Sequence, residues 1–185
     1  MCRLDAADQT DENGALTQGP RAQKVGDDQM LKRIIAAQQE TEPAEDNWLN
    51  LDELAQVEIT SENPAHPIEA ALLAGHTGGW RAATTGKQTI RLLFNGPQPV
   101  RRIRLDFYEP DIERTQEYVL RWSPDNGQAF HDIVRQQWHF SPRGAAVEKE
   151  DHRCNLPLVT VLELSIIPNM SGGPAVASLA QLRLA

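Results

Sequence analysis

Residues Gln88–Pro124 read QTIRLLFNGPQPVRRIRLDFYEPDIERTQEYVLRWSP, and three alternating runs within them decide the fold. In the first, Ile90, Leu92 and Phe94 share one parity, with Thr89 and Arg91 on the other. In the second, Ile103, Leu105 and Phe107 oppose Arg102, Arg104 and Asp106. In the third, Tyr118, Leu120 and Trp122 alternate with Glu117, Val119 and Arg121. Successive side chains on a strand point to opposite faces, so each run is read as a half-buried β-strand. Asn95-Gly96-Pro97 and Pro110-Asp111 are read as loops, and Asp125-Asn126-Gly127 as a tight turn. The pattern is that of antiparallel sheet with one face in the core and one in water.

Outward from this stretch, the same reading gives more strands. Gln56–Asn63 supplies one, with Val57 and Ile59 inward. Ala129–Pro142 supplies another, with Val134, Gln136, Trp138 and Phe140 on one side. Leu158–Pro168 is strongly β-prone, and Ser178–Ala185 closes the chain with Leu182 and Leu184 inward. Arg143–Leu156 is a charged edge strand at most, and its acids Glu148, Glu150 and Asp151 are expected on a solvated face. Trp48, Leu51 and Leu54 suit a short helical turn at one end of the domain, and Ile68–Leu73 a second apolar turn. His76–Lys87 and Asn169–Ala177 read as glycine-bearing loops. Trp80, Trp138 and Phe140 are expected in the core. Seven or eight strands without crossover helices predict an all-β antiparallel sandwich or jelly roll.

The chain has 185 residues and a formal net charge of −8. That balance argues against non-specific binding to nucleic acid or anionic membranes. Arg101, Arg102 and Arg104 form the one basic cluster, read as a solvated sheet face. Residues 1–47 are polar and acidic, an extension expected to be mobile, with an amphipathic helix near 28–40 carrying Met30, Leu31, Ile34 and Ile35. The domain is expected over 48–185. No apolar run approaches the roughly 20 residues that span a bilayer, and the start lacks the apolar core of a secretory signal. A cytoplasmic protein with reduced Cys2 and Cys154 is expected.

Catalytic patterns are missing. His66, His76, His131, His139 and His152 show no zinc spacing, and His152 with Cys154 offers two ligands at most. There is no Gly-x-Ser-x-Gly elbow and no phosphate-cradling glycine loop between strand and helix.

The order of these features resembles the galactose-binding-like, or discoidin, superfamily, which includes coagulation factor 5/8 type C domains and bacterial sugar-binding modules. The resemblance rests on EITSEN, on a loop ending in Trp80, and on IRLLF and VRRIRLDF. It rests also on EYVLRWSPDNGQAF with its Ser-x-Asp turn, and on LELSIIP followed by a glycine loop and SLAQLRLA. It covers roughly Gln56–Ala185. It implies an eight-stranded β-sandwich (a galactose-binding-like jelly roll) that binds a carbohydrate or other small polar ligand by loops at one end, and is not an enzyme. In the sugar-binding modules a first-loop His or acid works with a middle-loop Arg, matched here by His76 and Arg114. Glu109, Asp111 and Glu113 flank Arg114, to orient it or compete for it. Arg81 is placed either to reach the ligand or to pair with an acid. Gln116 adds an amide, and Asn169 stands in the late loop beside Met170.

Many members hold a structural calcium through carboxylates after the first strand and in the last one. Here the loop reads LLAGHTGGW and Gln181 stands in the last strand, so no cofactor or metal is expected. The rival expectation is an intracellular interaction or scaffold module that takes a protein partner, or a second copy, by its sheet face or its N-terminal helix.

Overall fold

The computed structural model describes residues 47–185. The expected acidic extension and its helix near 28–40 lie outside them, as does Cys2. In chain order the elements are α1 (Leu51–Leu54), β1 (Ala55–Ile59), α2 (Glu69–Leu72), β2 (Trp80–Thr85), β3 (Gln88–Tyr108), β4 (Arg114–Ser123), β5 (His131–Phe140), β6 (Val147–Ile167), β7 (Val176–Leu179) and β8 (Gln181–Leu184).

The first two alternating runs are one strand, not two: β3 has 21 residues and so has β6. Asn95-Gly96-Pro97 is not a loop between strands. Its irregularity is absorbed as shifts of register between Leu93 and Arg102 along the β3–β6 ladder. Pro97 and Pro99 cannot donate to a ladder, and a bulged bend is where a strand tolerates them. Arg143–Leu156 and Leu158–Pro168 likewise merge into β6, with Pro157 at the bend.

These two bent strands build both layers. Before the bend β3 pairs with β1 and with Val161–Ile166 of β6, which pairs onward to β4, and β4 to β5. After the bend β3 pairs with Val147–Arg153 of β6 and with β8. The inner faces of the two halves meet in the core. The Phe107 ring lies 5.4 Å from that of Tyr118. Ile90, Leu92, Ile103, Leu105, Leu120, Phe140, Leu162, Leu164, Leu182 and Leu184 fill the space between, all but inaccessible to water.

Four further expectations are corrected. Val57 is 37% exposed because β1 is an edge strand. Residues 80–85, expected as loop, form β2, which pairs with β7, a strand that begins in the other expected glycine loop and takes Ser178 and Leu179 from the expected last strand, broken at Ala180; the pairing joins segments far apart in sequence, which local pattern cannot register. The basic cluster is not simply solvated, since Arg102 bonds Asp151 (Nε–Oδ1 2.9 Å) and Arg104 bonds Asp106 (3.2 Å). Glu148 and Glu150 do not stand in water. They alternate with exposed Lys149 and Asp151 and face inward. Gln136 donates to Glu150, and the Tyr118 hydroxyl lies 2.9 Å from His152 Nε2. The Asp125–Gly127 turn forms as read, with Asn126 at φ 58° and Gly127 at φ 84° and the Gly127 N–H donating to Ser123 Oγ at 2.9 Å.

Candidate functional site

At one end of the sandwich, β2, β7 and the end of β3 hold a small polar pocket. Arg81 is fixed through its backbone: its N–H donates to His66 O (3.1 Å) and its carbonyl accepts from Asn63 (2.9 Å). Its cross-strand partner is Ser178. Gly79 lets the preceding loop lie flat on the β7–β8 corner. It sits at φ +63°, and a Cβ there would meet Leu179 O at 2.6 Å, so no other residue fits without moving backbone. The start of that loop is tied down by β8, where Arg183 donates to Leu72 O (2.6 Å) and Leu73 O (2.9 Å). A pocket of about 200 Å³ results, walled by Gly79, Trp80, Arg81, Tyr108, Ser178 and Leu179.

Behind the pocket lies a buried ion pair. Glu109 and Arg114 are in contact, each side chain 2% exposed. Ser178 Oγ donates to the same carboxylate. Burial pushes the Glu109 carboxyl above the usual carboxylate range, against the opposing pull of Ser178 and of the Arg114 and Arg81 charges. Burial likewise lowers the Arg114 guanidinium, despite its acidic partner. Polar atoms in this interior are left without partners: Arg114 Nε, Gln116 Oε1, and the indole N–H groups of Trp80 and Trp138.

Arg81 stands between this interior and solvent. Its Nη2 lies 4.0 Å from Glu109 Oε2 and 3.7 Å from Asp111 Oδ2, both beyond hydrogen-bond length. Arg91, Arg102, Arg104, Arg121, Arg135 and Arg183 all spend N–H groups on protein acceptors. The Arg81 fork, by contrast, is aimed but unspent.

Of the sequence-derived candidates, the structure brings Arg81, Glu109 and Arg114 together, with Asp111 beside them. Glu109 and Arg114 sit behind the pocket wall, out of a ligand's direct reach. Gln116 is also interior, 2% exposed. His76 is exposed in the loop between α2 and β2 and neither walls the pocket nor bonds to the Arg81 group. Asn169 spends its amide on its own loop, donating to Gly172 O (2.7 Å) and accepting from Ser171 (3.1 Å).

Tyr108 and Ser178 were not among the candidates. Tyr108 carried a signal: it follows Phe107, whose parity is inward, so it must face out, and it is 54% exposed. Ser178 carried none, since only the pairing of β7 with β2 places it.

The residues present do not fit the calcium that many discoidin-like proteins carry. The Leu73–Gly79 loop has no carboxylate. Among the described residues no group of three or more His, Cys, Asp or Glu is gathered closely enough to hold a metal ion.

No protein-family model and no curated protein matches this chain. Solved structures do. A carbohydrate-binding module from Clostridium perfringens, in complex with GalNAc-β-1,3-galactose, aligns with TM-score 0.56 at 20% identity over 74% of this chain and 98% of that one. A family 32 carbohydrate-binding module from the same organism, in complex with galactose, aligns with TM-score 0.54 at 14% identity, over 74% and 96%. A pectin-binding carbohydrate-binding module aligns with TM-score 0.52 at 13% identity, over 71% and 90%. This chain has the galactose-binding-like β-sandwich fold.

Proposed function

We propose that this chain is a non-catalytic carbohydrate-binding module that holds a sugar at its loop end, in the pocket between Arg81 and Tyr108. The observation that carries this reading is the unspent Arg81 fork beside an exposed aromatic ring. A sugar presents hydroxyls that accept from a planar guanidinium and an apolar ring face that rests on an aromatic one. Two of the solved modules of like fold are in complex with GalNAc-β-1,3-galactose and galactose, and another with an unsaturated mannuronic acid, which supports a carbohydrate ligand here. Fold alone does not assign a ligand, so the weight rests on the pocket.

The sheet face supports the rival interaction reading less well. Across its outer side Glu58, Arg91, Glu163, Arg121 and Asp132 follow one another from β1 to β5 as cross-strand partners. Glu58, Arg91, Glu163 and Arg121 are ion-paired in turn, and Phe130 covers both arginines, 5.9 Å from Arg91 and 4.9 Å from Arg121.

Titration calorimetry against neutral monosaccharides, followed by a glycan array, tests the proposal. Binding is expected, and Arg81→Ala should weaken it roughly 10- to 100-fold, the value of a charge-assisted hydrogen bond. A folded protein that binds no glycan on a broad array refutes it.

A further inference from the structure

We infer that the pocket selects uncharged sugars presenting two adjacent hydroxyls, and that Asp111 enforces this choice. The inference rests on the carbohydrate reading above and goes further, to the ligand class and to a residue that sets it.

The argument begins with two charged groups that stand side by side without bonding. Arg81 Nη2 and Asp111 Oδ2 are 3.7 Å apart. Asp111 is 69% exposed, and this ion pair is its one direct contact among the described residues. Among the described residues Arg102 grips Asp151 through two nitrogens, and Arg91 and Arg121 both bond Glu163, while the exposed Arg91–Glu58 pair stands open like this one, at 3.7 Å. Arg81 stands between Asp111 and Glu109, which attracts it from the buried side at 4.0 Å. Its backbone is pinned by His66 and Asn63.

The result is a donor in the pocket wall, Arg81, with an acceptor, Asp111, standing beside it. A guanidinium only donates and a carboxylate accepts. Two neighbouring hydroxyls satisfy both at once, one accepting from Arg81 and the next donating to Asp111. A carboxylate or sulfate set against Asp111 has no proton to give it and meets its negative charge. Charge balance points the same way. Two acids, Glu109 and Asp111, face two arginines, Arg81 and Arg114, so the site holds no surplus positive charge for an anion.

The test is titration calorimetry of the full chain with galactose against galacturonate, and mannose against mannuronate, in wild type, Asp111→Asn and Arg81→Gln. Asp111 is exposed, so its substitution leaves the fold intact, which a thermal melt verifies. The neutral member of each pair is expected to bind at least tenfold more tightly in wild type. Asp111→Asn should narrow that gap by about tenfold, the value of one charge-assisted contact, chiefly by admitting the uronate. Arg81→Gln should weaken both members. A uronate that binds wild type as well as its neutral partner overturns the selectivity, and an unchanged gap in Asp111→Asn overturns the role of Asp111; either result leaves the carbohydrate reading standing. Failure of all four sugars to bind wild type and both variants overturns the selectivity as well, while the carbohydrate reading itself falls only with a blank glycan array.

Discussion

Two glutamates in this protein are equally hidden from water, 2% exposed each, and both are paired with arginine. Their surroundings push them opposite ways. Burial raises the Glu109 carboxyl, and its arginines do not recover the loss. Burial also works against Glu163, but hydrogen bonds from Arg121 and Arg91 outweigh it and hold its carboxyl below the usual range. The difference lies in depth and in the arginines: Glu109 is packed more deeply among protein atoms than Glu163. Arg91 and Arg121 are 43% and 35% exposed, so they stay hydrated while each gives Glu163 a hydrogen bond. Arg114 is buried with its acid, and Arg81 stands off at 4.0 Å. A buried carboxylate costs little where its partners keep their water, and much where they do not. The outer row is therefore structural reinforcement. The loop-end pair is held at a cost, which is common where a protein meets a ligand.

Breaking each pair gives the largest expected contrast. Arg114→Met strands the Glu109 charge in the interior and should cost about 3–5 kcal/mol by chemical denaturation. Adding Glu109→Leu should restore part of that loss, since the orphaned charge goes with it; a double variant less stable than Arg114→Met would contradict the assignment. Glu163→Gln should cost less, about 1.5 kcal/mol, because its half-exposed arginines turn to water. It should also flatten the acid limb of the stability curve. Glu163 is lowered, so its contribution is present above the usual carboxylate range and lost as pH falls below it. Equal losses in Arg114→Met and Glu163→Gln would erase the distinction.

A third carboxylate sharpens the comparison, because it has no arginine at all to help it. Burial, together with the hydrogen bond and charge of Glu150, pushes Glu148 up to about 7. A raised acid contributes stability below the usual carboxylate range and loses it as pH rises through about 7. Melting temperature should therefore fall from pH 5 to pH 8, and Glu148→Gln should remove much of the slope. An unchanged slope would mean that Glu148 is not the group that sets it. The smallest stability effect is expected at the pocket itself. Tyr108→Ala should change stability within about 0.5 kcal/mol while weakening sugar binding, the mark of a residue kept for contact rather than for packing.

Much of this was legible before any coordinates. The parities of Ile103–Phe107 and Tyr118–Trp122 named the core, and the Asp125–Gly127 turn was placed from residue type. The burial of Gln116 and Arg114 was also within reach, since they continue the inward parity of Tyr118 two and four residues back. Treating them as loop residues hid that. Glu148 and Glu150 were misread for a similar reason: charge was weighed above alternation, and edge strands accept polar groups on an inner face where a facing strand supplies partners.

Sequence by itself determined the faces of the core strands and the all-β class, which follow from a local rule, the two-residue period of a strand. Arg81, Glu109 and Arg114 were singled out through the family resemblance, together with His76 and Asn169, while Tyr108 and Ser178 were missed. Only tertiary structure decided that β3 and β6 each run through a bend into both layers, and that β2 pairs with β7 to set Ser178 beside Glu109. It alone decided that Arg81, and not His76 or Asn169, meets the pocket. These depend on contacts between segments far apart in the chain. Their energy comes from burial and pairing that no single stretch contains.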